Sequence, residues 1–349
     1  MNLNFFRNLT KFSLACVLLF AAQSCDKKDP DPVIPAGAAG YFVVNEGNFG
    51  HSNTTISFYD REKNTMTNDI FAASNPGHAL GDQAQSAIVF EGKVYISVQN
   101  SAKVEVIDAN NFKSLNTITE GIESPRYFLG ISSTKGYVSD WGDGFHGSVK
   151  VIDLGSMTVT KTIATGKGAN KMVMRDGKVY VANNGGYGLD NKIKIIDAST
   201  DAVVDSIAVK DNPSNLVFDK NGKLWVTGYG DYGNTSSWVA RVDPSTKEIV
   251  ASKDLVGAGS VATNSAGDLI YAYDTDAIVT YDPDATDLSG DVLVKGFFYG
   301  FDVDPSTGDV IATDAGDFTS NGTLYVFDST GKQKASYEVG IAPNGIGFK

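Results

Sequence analysis

The stretch Val104-Glu105-Val106-Ile107-Asp108 decides the fold, because the chain holds six more like it. Each is a short run rich in apolar, β-branched and aromatic residues and closed by an aspartate: residues 56–60 (ISFYD), 149–153 (VKVID), 193–197 (IKIID), 239–243 (VARVD), 278–282 (IVTYD) and 324–328 (LYVFD). The closing aspartates are spaced by 48, 45, 44, 46, 39 and 46 residues. A period of about 45 residues is the length of a propeller blade of four strands. Alternation with period two excludes a helical solenoid of similar period.

The residues around 104–108 supply the rest of one blade. Residues 86–90 (SAIVF) make an inner strand, Glu91-Gly92-Lys93 turns the chain, and 94–98 (VYISV) is the second strand. Residues 104–108 are the third strand and 115–119 (LNTIT) the outer edge. Arg175-Asp176-Gly177-Lys178 and Lys220-Asn221-Gly222-Lys223 are comparable hairpin turns, since Asp-Gly and Asn-Gly tolerate positive φ. The first repeat starts directly on a second-strand sequence, residues 41–45 (YFVVN), whereas the last residues, 343–349 (PNGIGFK), match the inner strands at 213–218 (PSNLVF) and 299–303. The expected fold is therefore all-β: a seven-bladed β-propeller of four-stranded antiparallel blades over residues 40–349, closed by the C-terminal strand completing blade one. Closure removes sheet edges that would otherwise template aggregation. The aspartates that end the third strands read as turn-formers, each capping backbone N–H groups.

Composition agrees. The 349 residues include 37 glycines, and 11% are aromatic, as expected of many strands and turns. The net charge is −12, and the first 24 residues contribute two cations, Arg7 and Lys11, and no acid. An acidic chain without a basic stripe repels nucleic acid and anionic lipid. The two cysteines, Cys16 and Cys25, both precede the repeats, so the propeller has no disulfide, thiolate nucleophile or Cys-ligated metal.

Residues 1–24 read as a signal peptide, with an apolar run of 11 at 12–22 (FSLACVLLFAA), too short to span a bilayer. Ala22-Gln23-Ser24-Cys25 resembles the lipobox of bacterial lipoproteins, in which the cysteine becomes the lipidated N-terminus. Residues 25–39 are then the lipidated cysteine and a flexible tether carrying three prolines. The acidic Asp26, Asp29 and Asp31 look like a surface-export signal. The expected location is the outer membrane, lipid-anchored and facing the cell exterior.

In a four-stranded meander, the loops between second and third strands share a face with the blade-to-blade links, leaving tight turns on the other. The elaborated face is the functional candidate. Five of its loops repeat glycine, Asp or Asn, and an aromatic: Glu46-Gly47-Asn48-Phe49, Trp141-Gly142-Asp143-Gly144-Phe145-His146, Asn184-Gly185-Gly186-Tyr187-Gly188, Tyr229-Gly230-Asp231-Tyr232 and Gly316-Asp317-Phe318. The links add Arg126 and Tyr127, and Phe298 and Tyr299. The bland account has glycine bending, Asx capping and the aromatic packing on a neighbouring blade. Five such loops on one rim exceed what folding requires, and aromatics give large contact area with a polar handle. The candidate ligand-binding residues are thus Glu46, Asn48, Phe49, Arg126, Tyr127, Trp141, Asp143, Phe145, Tyr187, Tyr229, Asp231, Tyr232, Phe298, Tyr299, Asp317 and Phe318, with Arg126 a donor to phosphate or carboxylate.

His51, His78 and His146 fall on the same face without a ligand spacing, and no loop has the alternating pattern of a calcium site. No nucleophile elbow, Walker loop or His-Glu-Xaa-Xaa-His motif occurs. The expectation is a binding protein rather than an enzyme, without catalytic residues or a metal.

The repeat of hydrophobic strand, Val-Ile-Asp and short polar turn resembles the YncE-like family of bacterial propellers over residues 40–349. Val43-Val44-Asn45-Glu46-Gly47-Asn48-Phe49-Gly50, Leu80-Gly81-Asp82 and residues 103–108 (KVEVID) are similar to surface lipoproteins of Bacteroidetes, among them the cobalamin-capturing BtuG group. The resemblance implies no required cofactor, a corrinoid such as cobalamin as the bound ligand, and a TonB-dependent outer-membrane transporter as partner. A corrin is broad, flat and fringed with amides, which suits a wide rim of aromatics with Asn and Asp. Alternatives are a carbohydrate-binding lipoprotein, a protein-docking scaffold, and a propeller lyase or hydrolase. The last predicts buried, pKa-shifted carboxylates on the rim.

Overall fold

The seven aspartate-closed runs lie third from the axis in seven four-stranded antiparallel sheets. The computed structural model describes residues 38–233, 235–257 and 259–349. The expected signal peptide, Cys25 and the expected tether as far as residue 37 lie outside the described residues.

Blade two shows why the residues fold locally as they do. Its strands are Ala84–Phe90, Lys93–Val98, Lys103–Asp108 and Ser114–Ile118. Glu91 and Gly92, with φ of 48° and 73°, make the two-residue turn, the left-handed pair that matches strand twist. Glu105, 2% exposed, is satisfied by Lys103, Ser114 and Thr117. Asp176-Gly177 turns in the same way, with φ of 50° and 73°. The Lys220-Asn221-Gly222-Lys223 turn differs from the expected tight hairpin. Its strands end at Phe218 and restart at Leu224, because Asp219 accepts the backbone N–H groups of Asn221 and Lys223 and the indole N–H of Trp225, each at 2.8 Å.

The repeat aspartates are turn-formers in all seven blades. In each turn, Oδ1 accepts the backbone N–H two residues on, from Asp60 to Glu62 through Asp328 to Thr330.

The hydrophobic core is distributed between blades rather than gathered at one centre. Seven buried clusters each join two neighbouring blades. Between blades one and two, Phe42, Phe58 and Phe112 pack with ring centroids 4.9–5.7 Å apart. A single helical turn, Ile70–Ser74, which the strand pattern did not announce, buries Ile70 and Phe71 in the same layer.

The ring closes as expected. Pro343–Phe348 pairs antiparallel with Gly40–Asn45, with Tyr41 opposite Phe348 and Phe42 opposite Gly347. A Cβ on Gly347 would sit 1.8 Å from the Ala87 carbonyl oxygen of blade two. Gly347→Ala should therefore lower stability by about 1–3 kcal/mol, read as a lower urea midpoint with an unchanged m-value. An unchanged midpoint would contradict this closure.

Candidate functional site

The loops between second and third strands interlock with the blade-to-blade links on one face. Gly50 N donates to Asp82 at 2.9 Å, Tyr187 N to the Gly144 carbonyl at 2.9 Å, and Asn48 Nδ2 to the Phe318 carbonyl at 3.0 Å. This rim surrounds the mouth of a cavity of about 320 Å³, lined by residues of all seven blades.

The inner strands build the cavity through a shared irregularity. In five blades the first strand carries one extra residue near its start: after Ala84, Pro125, Ala169, Pro213 and Pro343. A bulge re-aims side chains next to it. Here it sets Gln85, Arg126, Tyr127, Asn170, Lys171, Ser214, Asn215 and Asn344 into the cavity wall.

A belt of hydrogen bonds runs around the wall. Ser86 donates to the Arg126 carbonyl at 2.8 Å, Arg126 Nε to Asn170 Oδ1 at 3.2 Å, and Asn170 Nδ2 to the Ser214 carbonyl at 3.0 Å. Asn215 continues it to the Gly259 carbonyl. Where the ring closes, Glu46 accepts from Asn344 Nδ2 at 2.6 Å and from the Tyr299 hydroxyl at 3.1 Å.

The wall carries four charged groups: Glu46, Arg126, Lys171 and Asp302. Glu46 is 6% exposed, and burial pushes its carboxyl above the ordinary range against the opposing pull of Asn344, Arg126 and Tyr299. Burial likewise raises Asp302 against the attraction of Lys171. Burial also raises the hydroxyls of Tyr127, Tyr229 and Tyr299. The Arg126 guanidinium carbon lies over Trp141, 4.2 Å from the ring centroid, with Nη1 on Gln99. The buried indole Nε1 of Trp141 finds no acceptor among the described residues.

Of the candidate residues, Glu46, Arg126, Tyr127, Trp141, Tyr229 and Tyr299 line the cavity. Phe49, Phe145, Tyr187, Tyr232 and Phe318 stand on the rim, from 40% exposed at Phe318 to 75% at Phe49. Wall and rim aromatics meet in pairs: Trp141 with Tyr187 at 6.3 Å, Tyr229 with Tyr232 at 5.9 Å, and Tyr299 with Phe318 at 4.9 Å. Asn48 bridges two rim loops. Asp143, Asp231 and Asp317 accept N–H groups of their own loops, and the two backbone donors of Thr319 and Ser320 pull Asp317 down to about 2. Phe298 is placed differently from the expectation. It is 8% exposed and packs on Tyr325 and Phe327 in the core between blades six and seven, because its neighbour Tyr299 takes the direction of the cavity.

Lys171, Asp302, Gln85, Gln99, Asn170, Ser214, Asn215 and Asn344 also line the wall and were not among the candidate residues. A signal for them was present: a polar residue follows Pro or Ala at the start of five inner strands, as in Pro125-Arg126, Ala169-Asn170 and Pro343-Asn344. His146 pairs with Asp143 at 2.8 Å on the open surface. No three His, Cys, Asp or Glu side chains gather as a metal site among the described residues.

Fold and cavity define the class: a seven-bladed propeller with a polar cavity on its axis and an aromatic rim at one mouth. The chain belongs to the DUF5074 family, a domain of unknown function whose model matches residues 39–341. Its fold is similar to that of a quinonprotein alcohol dehydrogenase-like protein of Bacteroides thetaiotaomicron, with 19% identity, a TM-score of 0.68, and coverage of 89% of this chain and 78% of that one. It is also similar to 6-phosphogluconolactonase-like proteins of Bacteroides fragilis (13% identity, TM-score 0.64, 90% and 98% covered) and Bacteroides uniformis (12%, 0.64, 89% and 100%). At these identities the likeness is one of fold. No curated protein matches the chain.

Two outcomes follow from the placement. Tyr232→Ala on the rim should change stability by no more than about 0.5 kcal/mol, whereas Phe298→Ala should cost about 3–5 kcal/mol, measured by urea unfolding. Equal effects would contradict the assignment of one to rim and the other to core.

The second concerns Glu46. Its native carboxyl holds a proton more tightly than in the unfolded chain, so the stability it contributes is full below the ordinary value of 4.5 and drains away as pH rises through the raised native value. Glu46→Gln should flatten the fall in stability between mildly acidic and alkaline pH, read from urea midpoints at pH 5 and pH 8. A pH dependence identical to that of the natural protein would refute it.

Proposed function

We propose that this chain is a cell-surface binding propeller, anchored through lipidated Cys25. It captures a small nutrient across the aromatic rim and passes it to a TonB-dependent outer-membrane transporter. The observation that carries this reading is the coincidence, at one mouth, of a polar cavity and exposed aromatics from five blades. Binding sites are concave, with apolar contact area and a few polar groups that fix orientation. Here the apolar area is on the rim and the polar groups are below it.

The ligand class proposed is a corrinoid such as cobalamin, by the resemblance to Bacteroidetes lipoproteins. A corrin macrocycle is broader than the cavity, so it would lie across Phe49, Tyr187 and Tyr232 with an amide or nucleotide arm directed at the wall. No cofactor is required. Calorimetric titration of the purified protein with cyanocobalamin should give saturable binding at micromolar concentration or tighter. Tyr187→Ala with Tyr232→Ala should weaken it about tenfold without a loss of thermal stability, since exposed aromatics contribute contact rather than folding energy. Absence of saturable binding would remove the corrinoid.

A specific observation favours a second reading, a propeller hydrolase. Glu46 and Asp302 are the cavity carboxyls shifted toward neutral that such chemistry would use, and some neighbours in fold carry lactonase-like names. Turnover of a sugar lactone, lost in Glu46→Gln, would establish it over binding.

A further inference from the structure

We propose that the cavity contains an anion subsite, in which Arg126 and Lys171 together receive a carboxylate or phosphate group of the bound ligand. The inference rests on the cavity being the binding site. Both cations stand on bulged inner strands of adjacent blades, Pro125–Ser132 and Ala169–Arg175, and both line the cavity.

Neither cation sits in a direct ion pair among the described residues, although Arg126 acts on Glu46 and Lys171 on Asp302 from a greater distance. Among the described residues, no carboxylate oxygen lies within 4.0 Å of Arg126 or Lys171. Arg126 spends two of its donors on neutral amide oxygens, those of Gln99 and Asn170. Those bonds fix the plane of the guanidinium without neutralising it, and its seat over the Trp141 ring holds it further. A guanidinium has five N–H donors, so the others remain for a planar oxyanion, the geometry arginine recognises best. Lys171 is held 4.9 Å from the Tyr127 ring centroid, again a neutral partner.

The carboxyls facing them do not take this place. Glu46 has both oxygens engaged, by Asn344 and Tyr299. Asp302 Oδ1 accepts its neighbour's Val303 N–H at 2.8 Å. Burial tilts both toward the neutral form, which leaves the cations of the wall less compensated.

Trp141 supplies the probe. Of the three tryptophans, Trp225 and Trp238 are buried at 0% and 1% exposure in the layers between blades, so a change in fluorescence at the cavity reports Trp141. The purified protein is titrated at constant ionic strength with inorganic phosphate and, separately, with succinate. We expect a saturable response to at least one, silenced in Trp141→Phe. The stronger of the two identifies the phosphate or the carboxylate as the group received. Arg126→Gln and Lys171→Gln should each weaken it about tenfold, the loss of one charge-assisted hydrogen bond. Melting curves confirm folding, and Arg126→Lys, which keeps the charge but not the fork, should fall between.

No saturable response to either anion, by fluorescence and calorimetry, overturns the subsite. So does corrinoid binding that phosphate does not compete with and that both glutamine variants leave intact, while the cavity reading stands. An anion response without corrinoid binding keeps the subsite and removes the corrinoid.

Discussion

Everything in this molecule depends on the pairing of its last strand with its first. Seven sheets arranged around an axis bury apolar surface only between neighbours, and each hydrophobic layer needs a blade on either side. Without Pro343–Phe348 beside Gly40–Asn45, blade one lacks its inner strand and the chain ends in open edges. The glycines at the seam show how tightly it is drawn: Gly347 lies against the Ala87 carbonyl, where no side chain fits.

The same seam organises the cavity. Glu46 leaves the first strand, Asn344 belongs to the closing strand, and they meet at 2.6 Å with Tyr299 of blade seven completing the contact. Chain closure and the placing of the buried Glu46 carboxyl are therefore one structural event. Around the rest of the ring, bulges near the start of four inner strands do the corresponding work, turning polar residues inward that a regular ladder would have spread over both faces. The result is a wall of separated positive and negative groups, with aromatic pairs leading from it to the open rim.

Most of the fold was legible because it is written seven times. The alternation, the closing aspartates, the Glu-Gly and Asp-Gly turns and the mismatch between chain ends all follow from local chemistry. The helical turn at Ile70–Ser74 was not legible, since Ile70 and Phe71 are helical there to fill an interblade layer, a tertiary demand. The site was legible in part. Rim aromatics announce themselves by recurring with glycine in long loops, and Trp141, Tyr229 and Tyr299 fall in the wall. Lys171 and Asp302 were hidden because they sit in strands, where a charged residue reads as an outward-facing one. Phe298 and Tyr299 were indistinguishable as a pair, and the irregular link before Gly300 sends one into the core and the other to the axis.

The axial cavity and its aromatic rim together form the proposed ligand-binding surface. The most direct measurement is a crystal structure of the protein saturated with a ligand that titration shows it to bind. The ligand should lie at the mouth formed by Tyr187, Tyr232 and Phe318, with a polar group reaching the wall at Arg126. A ligand seated on the face of tight turns, or between blades away from the axis, would contradict it.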